Sequence, residues 1–187
     1  NVTQAIVYKF CQSISQILVE ECTFTNISDK AIYVTDNGAY LLDDIVVEGC
    51  TFDNSSLEEN ISESAIYVTY NDQLASVSLN SNIFKAFGLK DNLSAGIYIN
   101  ENENLNEVSL SYNTVLLCGG EDLDTPVADF GGIYIDKCDD VFLEYNEFSN
   151  NTGVKSGVGY IHTNRVLSYN NSVHNNQNST YVGNEYC

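Results

Sequence analysis

The chain has one proline, no tryptophan, no methionine and two histidines, and Arg165 is its single arginine. No run of about 18 apolar residues occurs, so no helix of this sequence can span a bilayer. Apolar residues never hold a helical spacing over three turns, which argues against an α-rich fold. Cations are scarce: seven Lys and Arg stand against 26 Asp and Glu, a formal charge of −19. A phosphate backbone would be repelled, so nucleic acid is excluded as a partner. The opening "NVTQAIVYKF" carries neither an initiator Met nor a signal-peptide core, and is read as the start of a mature or excised chain.

What is abundant is asparagine. There are 24 Asn, and eight of them, Asn1, Asn26, Asn54, Asn60, Asn92, Asn150, Asn170 and Asn178, stand in N-x-S/T triplets. Random placement would give about four, so the excess points to covalent glycans on a secreted or cell-surface protein. The competing explanation is that Asn and Ser are common for turn-forming reasons. Six cysteines fit the same oxidising compartment. Acidic residues gather in "NENENLNE" (100–107) and "GGEDLDTP" (119–126), read as solvated loops. They could also hold Ca²⁺, which takes several oxygen ligands, but no spaced EF-hand loop is present. No metal or cofactor is expected.

Six related octets recur: "ILVEECTF" (17–24), "IVVEGCTF" (45–52), "VSLNSNIF" (77–84), "VSLSYNTV" (108–115), "VFLEYNEF" (141–148) and "VLSYNNSV" (166–173). Their last residues lie 28, 32, 31, 33 and 25 positions apart, the mark of a solenoid with loops of variable length. Between them stand "AIYV" (31–34), "AIYV" (65–68), "GIYI" (96–99) and "GIYI" (132–135), with looser forms near both ends. Each coil therefore carries at least two strands. The first and third octet letters share a strand face and enter the core. The sixth, usually Asn, marks a corner, because Asn tolerates left-handed backbone angles and its amide can bond backbone groups. Stacked coils would align Asn82, Asn113, Asn146 and Asn171 in an amide ladder, with Cys22 and Cys50 in its first two places.

V-x-L-x-x-N-x-F-x-N followed by G-I-Y-I resembles the repeat of right-handed parallel β-helices of the pectate-lyase-like fold, including the FxxN and GGxI repeats of polymorphic outer-membrane proteins. The resemblance covers essentially all of residues 1–187, implying one all-β domain of about six coils. A leucine-rich repeat also fits "LASVSLNSNIF" and "LNEVSLSYNTV", but coils reaching 33 residues with a second strand argue against it. The fold hosts lyases, hydrolases, adhesins and tail spikes, so it leaves function open.

Enzymes of that fold gather Asp residues with an Arg, Lys or His on one sheet face. The candidates here are the pairs Asp43 with Asp44 and Asp139 with Asp140, and the neighbours His162 and Arg165. Adjacent strand residues face opposite ways, so neither carboxylate pair can enter one cleft. His174 is a lone turn residue. No catalytic residue is assigned, and a non-enzyme is the favoured reading. If Ile32, Ile66, Ile97 and Ile133 point inward, then Tyr33, Tyr67, Tyr98 and Tyr134 form an outward stripe. It is either a sugar-contact surface or ordinary cross-strand packing.

Cysteine spacing suggests three bridges. Cys22 and Cys50 hold the same place in adjacent coils, Cys118 and Cys138 flank a long segment, and Cys11 and Cys187 share a column at opposite ends, roughly 29 Å apart. The last pair could join only between molecules stacked head to tail; a Cys11 to Cys22 bridge is the alternative. The expected function is a secreted, N-glycosylated structural or surface protein that self-associates head to tail into a fibre. The alternative is a polysaccharide-processing enzyme or sugar-binding adhesin.

Overall fold

A computed structural model describes residues 2–11, 14–37, 42–56, 62–88, 95–119 and 129–178. Every strand pair in it is parallel, and like residues of successive coils stand in register. The chain winds through three faces per coil. The first face is built from Val2–Lys9, Ile27–Thr35, Ile66–Thr69 and Ile97–Asn100, and from the leading halves of two long strands, Ile133–Glu144 and Gly159–Tyr169. The second holds Gln16–Glu20, Asp44–Glu48, Ser76–Asn80 and Glu107–Ser111, with the trailing halves of those long strands. The third is narrow, three residues per coil, from Thr23–Thr25 to Ser172–His174.

Period-two alternation decides which residues enter the cylinder. Along the second face the burial of Ser76–Asn80 alternates, with Val77 and Leu79 wholly buried between half-exposed Ser76, Ser78 and Asn80. Leu79 and Leu110 are register partners, as the octet alignment requires. The third face contributes one ring or branched side chain per coil. Phe24, Phe52 and Phe84 stack at 4.7 and 5.0 Å between centroids, with near-parallel planes. Identical residues one rung apart match the spacing of parallel strands, so burial and ring stacking reinforce one register. Each buried Phe contributes about 2–3 kcal/mol of apolar transfer.

The corners are equally regular. After the second face, Asn171 Oδ1 accepts from the backbone N–H and the Nδ2 of Asn146, at 2.8 and 3.0 Å. Asn146 stands in the same relation to Asn113, and Asn113 to Asn82. Each Nδ2 also donates to a carbonyl one turn below: Asn146 to Leu110, Asn113 to Leu79 and Asn82 to Val47, at 2.7–2.8 Å. The ladder forms as the octets imply. The left-handed residue, however, is the one before each ladder position: Glu21, Ser81, Tyr112, Tyr145 and Asn170 have φ of 51–56°, and Gly49 has 63°. That twist turns the next side chain inward, where Asn meets backbone groups that the bend has left unpaired.

The disulfide expectation is overturned: Cys11, Cys22, Cys50, Cys118 and Cys138 are all free thiols. Cys22 and Cys50 occupy adjacent rungs of the ladder and act as substitutes for Asn. The Cys22 backbone N–H donates to Cys50 Sγ at 3.4 Å, and the two thiols donate to Glu20 O and Glu48 O. Neighbouring rungs of a parallel stack are about 4.8 Å apart, and these two sulfurs stay unbonded, not reaching the ~2.05 Å that a disulfide requires. Cys118 and Cys138 sit at different corners, one before the first face and one after it. The proposed Cys11 to Cys22 alternative does not form, and Cys187 lies outside the described residues.

Candidate functional site

Two further ladders occupy the other corners. Five residues after Ile6, Ile32, Ile66, Ile97 and Ile133 stand Cys11, Asn37, Asn71, Asn102 and Cys138. Asn37 Oδ1 accepts from the Cys11 N–H at 2.9 Å, and Asn37 and Asn71 each donate through Nδ2 to the next Oδ1 above. At the third corner, Asn176 serves Asn151 and Asn151 serves Cys118 in the same way. Cys11, Cys22, Cys50 and Cys118 are thus ladder residues, whereas the Cys138 thiol donates to Asp140 O. Burial pushes the Cys118 thiol up to about 12 and that of Cys138 up to about 11, and raises that of Cys50. The spacing from Ile to Cys or Asn was available in the sequence and marks the first of these two ladders.

Charges are arranged as rung-to-rung pairs. Arg165 clasps Asp140 through Nε and Nη2 at 2.9 and 2.6 Å, and His162 Nδ1 lies 2.7 Å from Asp136 Oδ1. His162 and Arg165 fall on the first and second faces, separated by the Thr163 and Asn164 corner, so they do not converge on one point. Asp139 accepts from Asn164, and Asp44 from Ser76, each at 2.7 Å. His174 pairs with Glu147 at 3.3 Å. Lys9, Lys85 and Lys155 likewise meet Asp36, Asp53 and Asp129. Lys30 is enclosed by Asp29 and Glu63 and lies over the Tyr33 and Tyr67 rings. Among the described residues no three His, Cys, Asp or Glu side chains gather as a metal site. Residues 100–107 are described in full, whereas 120–126 lie outside the described residues.

The tyrosine stripe forms and gains a fifth member, Tyr160. Ring centroids are 4.6, 4.8 and 5.1 Å apart from Tyr67 through Tyr98 and Tyr134 to Tyr160; Tyr33 meets Tyr67 edge-on at 5.5 Å. The stacked rings spend their faces on one another. Tyr98 is only 6% exposed, and Phe130 packs on both Tyr134 and Tyr160. Desolvation, with Asp136 and neighbouring tyrosines, pushes the Tyr134 hydroxyl up to about 12.

Two features escaped the sequence reading. One is a second, exposed tyrosine pair, Tyr112 with Tyr145, stacked at 5.0 Å. The other is an open polar hollow of about 270 Å³ lined by Asn104, Leu105, Lys137, Cys138, Asp139, His162, Thr163 and Asn164. The hollow arises because the strands Ile133–Glu144 and Gly159–Tyr169 run through the corner that residues 101–106 negotiate as a longer bend.

The sequons divide by exposure. Asn150 and Asn170 are exposed corner residues, and Asn26 is half-buried with Ser56 Oγ donating to its Oδ1. Asn54 is only 3% exposed, and its Nδ2 donates to Ile27 O at 2.6 Å. Asn178 ends the last described strand, and Asn1, Asn60 and Asn92 lie outside the described residues.

Residues 4–186 match the family described as the right handed beta helix region. The chain belongs to that family. Neither curated proteins nor solved structures gave a significant match. The β-helix scaffold is therefore established. Among the described residues no helix is long and apolar enough to cross a membrane.

Proposed function

We propose that this β-helix is a secreted, N-glycosylated structural or surface protein whose copies stack head to tail. The observation that carries the reading is that every described strand pair is parallel and in register, so each coil presents the edge that a further coil needs. Val166 and Val173 occupy core columns, yet they are 36% and 55% exposed, whereas Ile17, Val19 and Phe24 of the first coil are buried. Gly159–Tyr169 and Ser172–His174 are edge strands of their sheets, and Val2–Lys9, Gln16–Glu20 and Thr23–Thr25 are the edges opposite. Because all pairings are parallel, a second copy in the same orientation supplies a compatible edge. Such a contact is heterologous and does not close, so it propagates into a filament. The sequon excess, with Asn150 and Asn170 exposed, supports a secreted glycoprotein independently of the cysteines.

Secreted protein from a eukaryotic host, studied by light scattering and negative-stain imaging, tests the reading. The expected outcome is end-to-end particles that Val166→Glu with Val173→Glu reduces to single ones. A wild-type chain that stays monomeric throughout the micromolar range, or the absence of sugar from every sequon by glycopeptide mass spectrometry, would refute the assembly and the glycosylation respectively.

A further inference from the structure

The corner after the second face carries a column in which each residue shares the left-handed backbone: Glu21, Gly49, Ser81, Tyr112, Tyr145 and Asn170. Its last three members are two exposed aromatic rings and a sequon asparagine. Tyr112 and Tyr145 are 58% and 47% exposed, and their planes lie 8° apart. Register places Asn170 directly next: Glu144 is opposite Tyr169, the Tyr145 N–H donates to Tyr169 O at 3.3 Å, and the Asn146 N–H donates to Asn171 Oδ1. One face of the Tyr145 ring is taken by Tyr112. The other turns toward the level of Asn170, whose side chain is exposed and makes no hydrogen bond with the described residues.

A sugar on Asn170 Nδ2 would begin one amide length from the backbone, at about the radius of the tyrosine rings below it. Pyranose rings present an apolar C–H face, and tyrosine presents a negative π face at the matching spacing. We infer that Asn170 carries an N-linked glycan whose first N-acetylhexosamine stacks on Tyr145 as the third ring of this column. Attachment forms a bond from Nδ2 to the sugar C1 and breaks the C1–oxygen bond to a polyprenyl-diphosphate donor. The amide proton and the polyprenyl diphosphate leave. The inference rests on the glycosylation part of the proposed function and not on assembly. It also explains why two large rings stand exposed in a left-handed conformation, where bulky residues are disfavoured. Asn150 provides an internal control: Leu117, whose N–H donates to Ser149 O, lies beneath it, and no ring does.

The experiment uses the full chain secreted from a eukaryotic host, trimmed enzymatically to one sugar per site. Glycopeptide mass spectrometry reads occupancy, and NMR reads the acetyl methyl resonance and its cross-peaks to Tyr145 ring protons. Expected are occupancy at Asn170, an upfield-shifted acetyl methyl with those cross-peaks, and an ordinary resonance at Asn150. The single sugar should raise the melting temperature by roughly 2–4 °C over Asn170→Gln, and this gain should vanish in a Tyr145→Ser background. An occupied Asn170 with an unshifted methyl and no cross-peaks overturns the stacking and leaves the glycosylation reading standing. Sugar at other sequons but none at Asn170 also overturns it. Sugar at no sequon removes both. The cross-peak measurement needs no variant, so it decides the matter even if Tyr145→Ser fails to fold.

Discussion

Asn113 shows what a single ladder residue does. Its Oδ1 serves the N–H and Nδ2 of Asn82, and its Nδ2 serves Leu79 O and Asn146 Oδ1. Asn113→Ala strands buried partners on both neighbouring coils, at a cost of about 1–3 kcal/mol for each group left unpaired. We expect a total loss of about 3 kcal/mol by urea denaturation, and a smaller loss for Asn171→Ala in the more exposed last coil. Cys118 carries a second residue-scale prediction. Its folded pKa is raised from 9.0 to about 12 by burial. The unfolded thiol therefore loses its proton first, and between those values the unfolded state binds fewer protons. Its contribution is intact below pH 9 and is lost as pH rises toward 12. The fall in denaturation midpoint between pH 8.5 and 11 should be shallower in Cys118→Ala. At neutral pH, alkylation of the native protein should spare Cys118 and Cys50 while labelling the half-exposed Cys11 and Cys22.

At the scale of the element, the corner is the demanding part of the coil. Its left-handed position is filled by Glu, Ser, Tyr and Asn as well as by Gly49, so the conformation is imposed by the ladder and the strands on either side. Ser81 is exposed, and its hydroxyl bonds only Asn80 Oδ1 among the described residues. Ser81→Gly removes the Cβ clash but loosens the unfolded chain, so stability should change by under about 1 kcal/mol. Ser81→Val meets the full steric penalty and should lose about 1–2 kcal/mol. Parallel thermal melts of the two variants check the contrast. The strands were legible because "IYV" and "VxLxxN" spell the period-two alternation directly. The left-handed site was placed one residue late, since the sequence marks the Asn that receives the bend and not the variable residue that makes it.

For the whole molecule, charge and end exposure act against each other. A chain with net charge −19 repels its own copies, while in the proposed stack Val166 and Val173, exposed among the described residues, would offer apolar contact. Screening shortens the reach of that repulsion to about 8 Å at 0.15 M ionic strength. End-to-end assembly should therefore grow from low to physiological salt, as read by light scattering, and a flat or inverse dependence would contradict the stacking mode. Rung pairs such as Arg165 with Asp140 hold cations on the surface and leave the acidic excess facing solvent.

The sequence by itself determined the repeat, the parallel solenoid, its core columns and one of its ladders. These follow from short-range alternation and from like residues recurring at the coil period, and both are written along the chain. It did not determine what the cysteines do. Even count and shared column suggested bridges, but a parallel stack holds matching side chains a full rung apart, so the sulfurs take the place of amides. Nor could it say that His162 and Arg165 part at a corner, that one tyrosine column is packed while another is exposed, or that Asn54 is buried whereas Asn170 is open. Those outcomes depend on which way the chain turns at each bend, and only the stacked coils decide that.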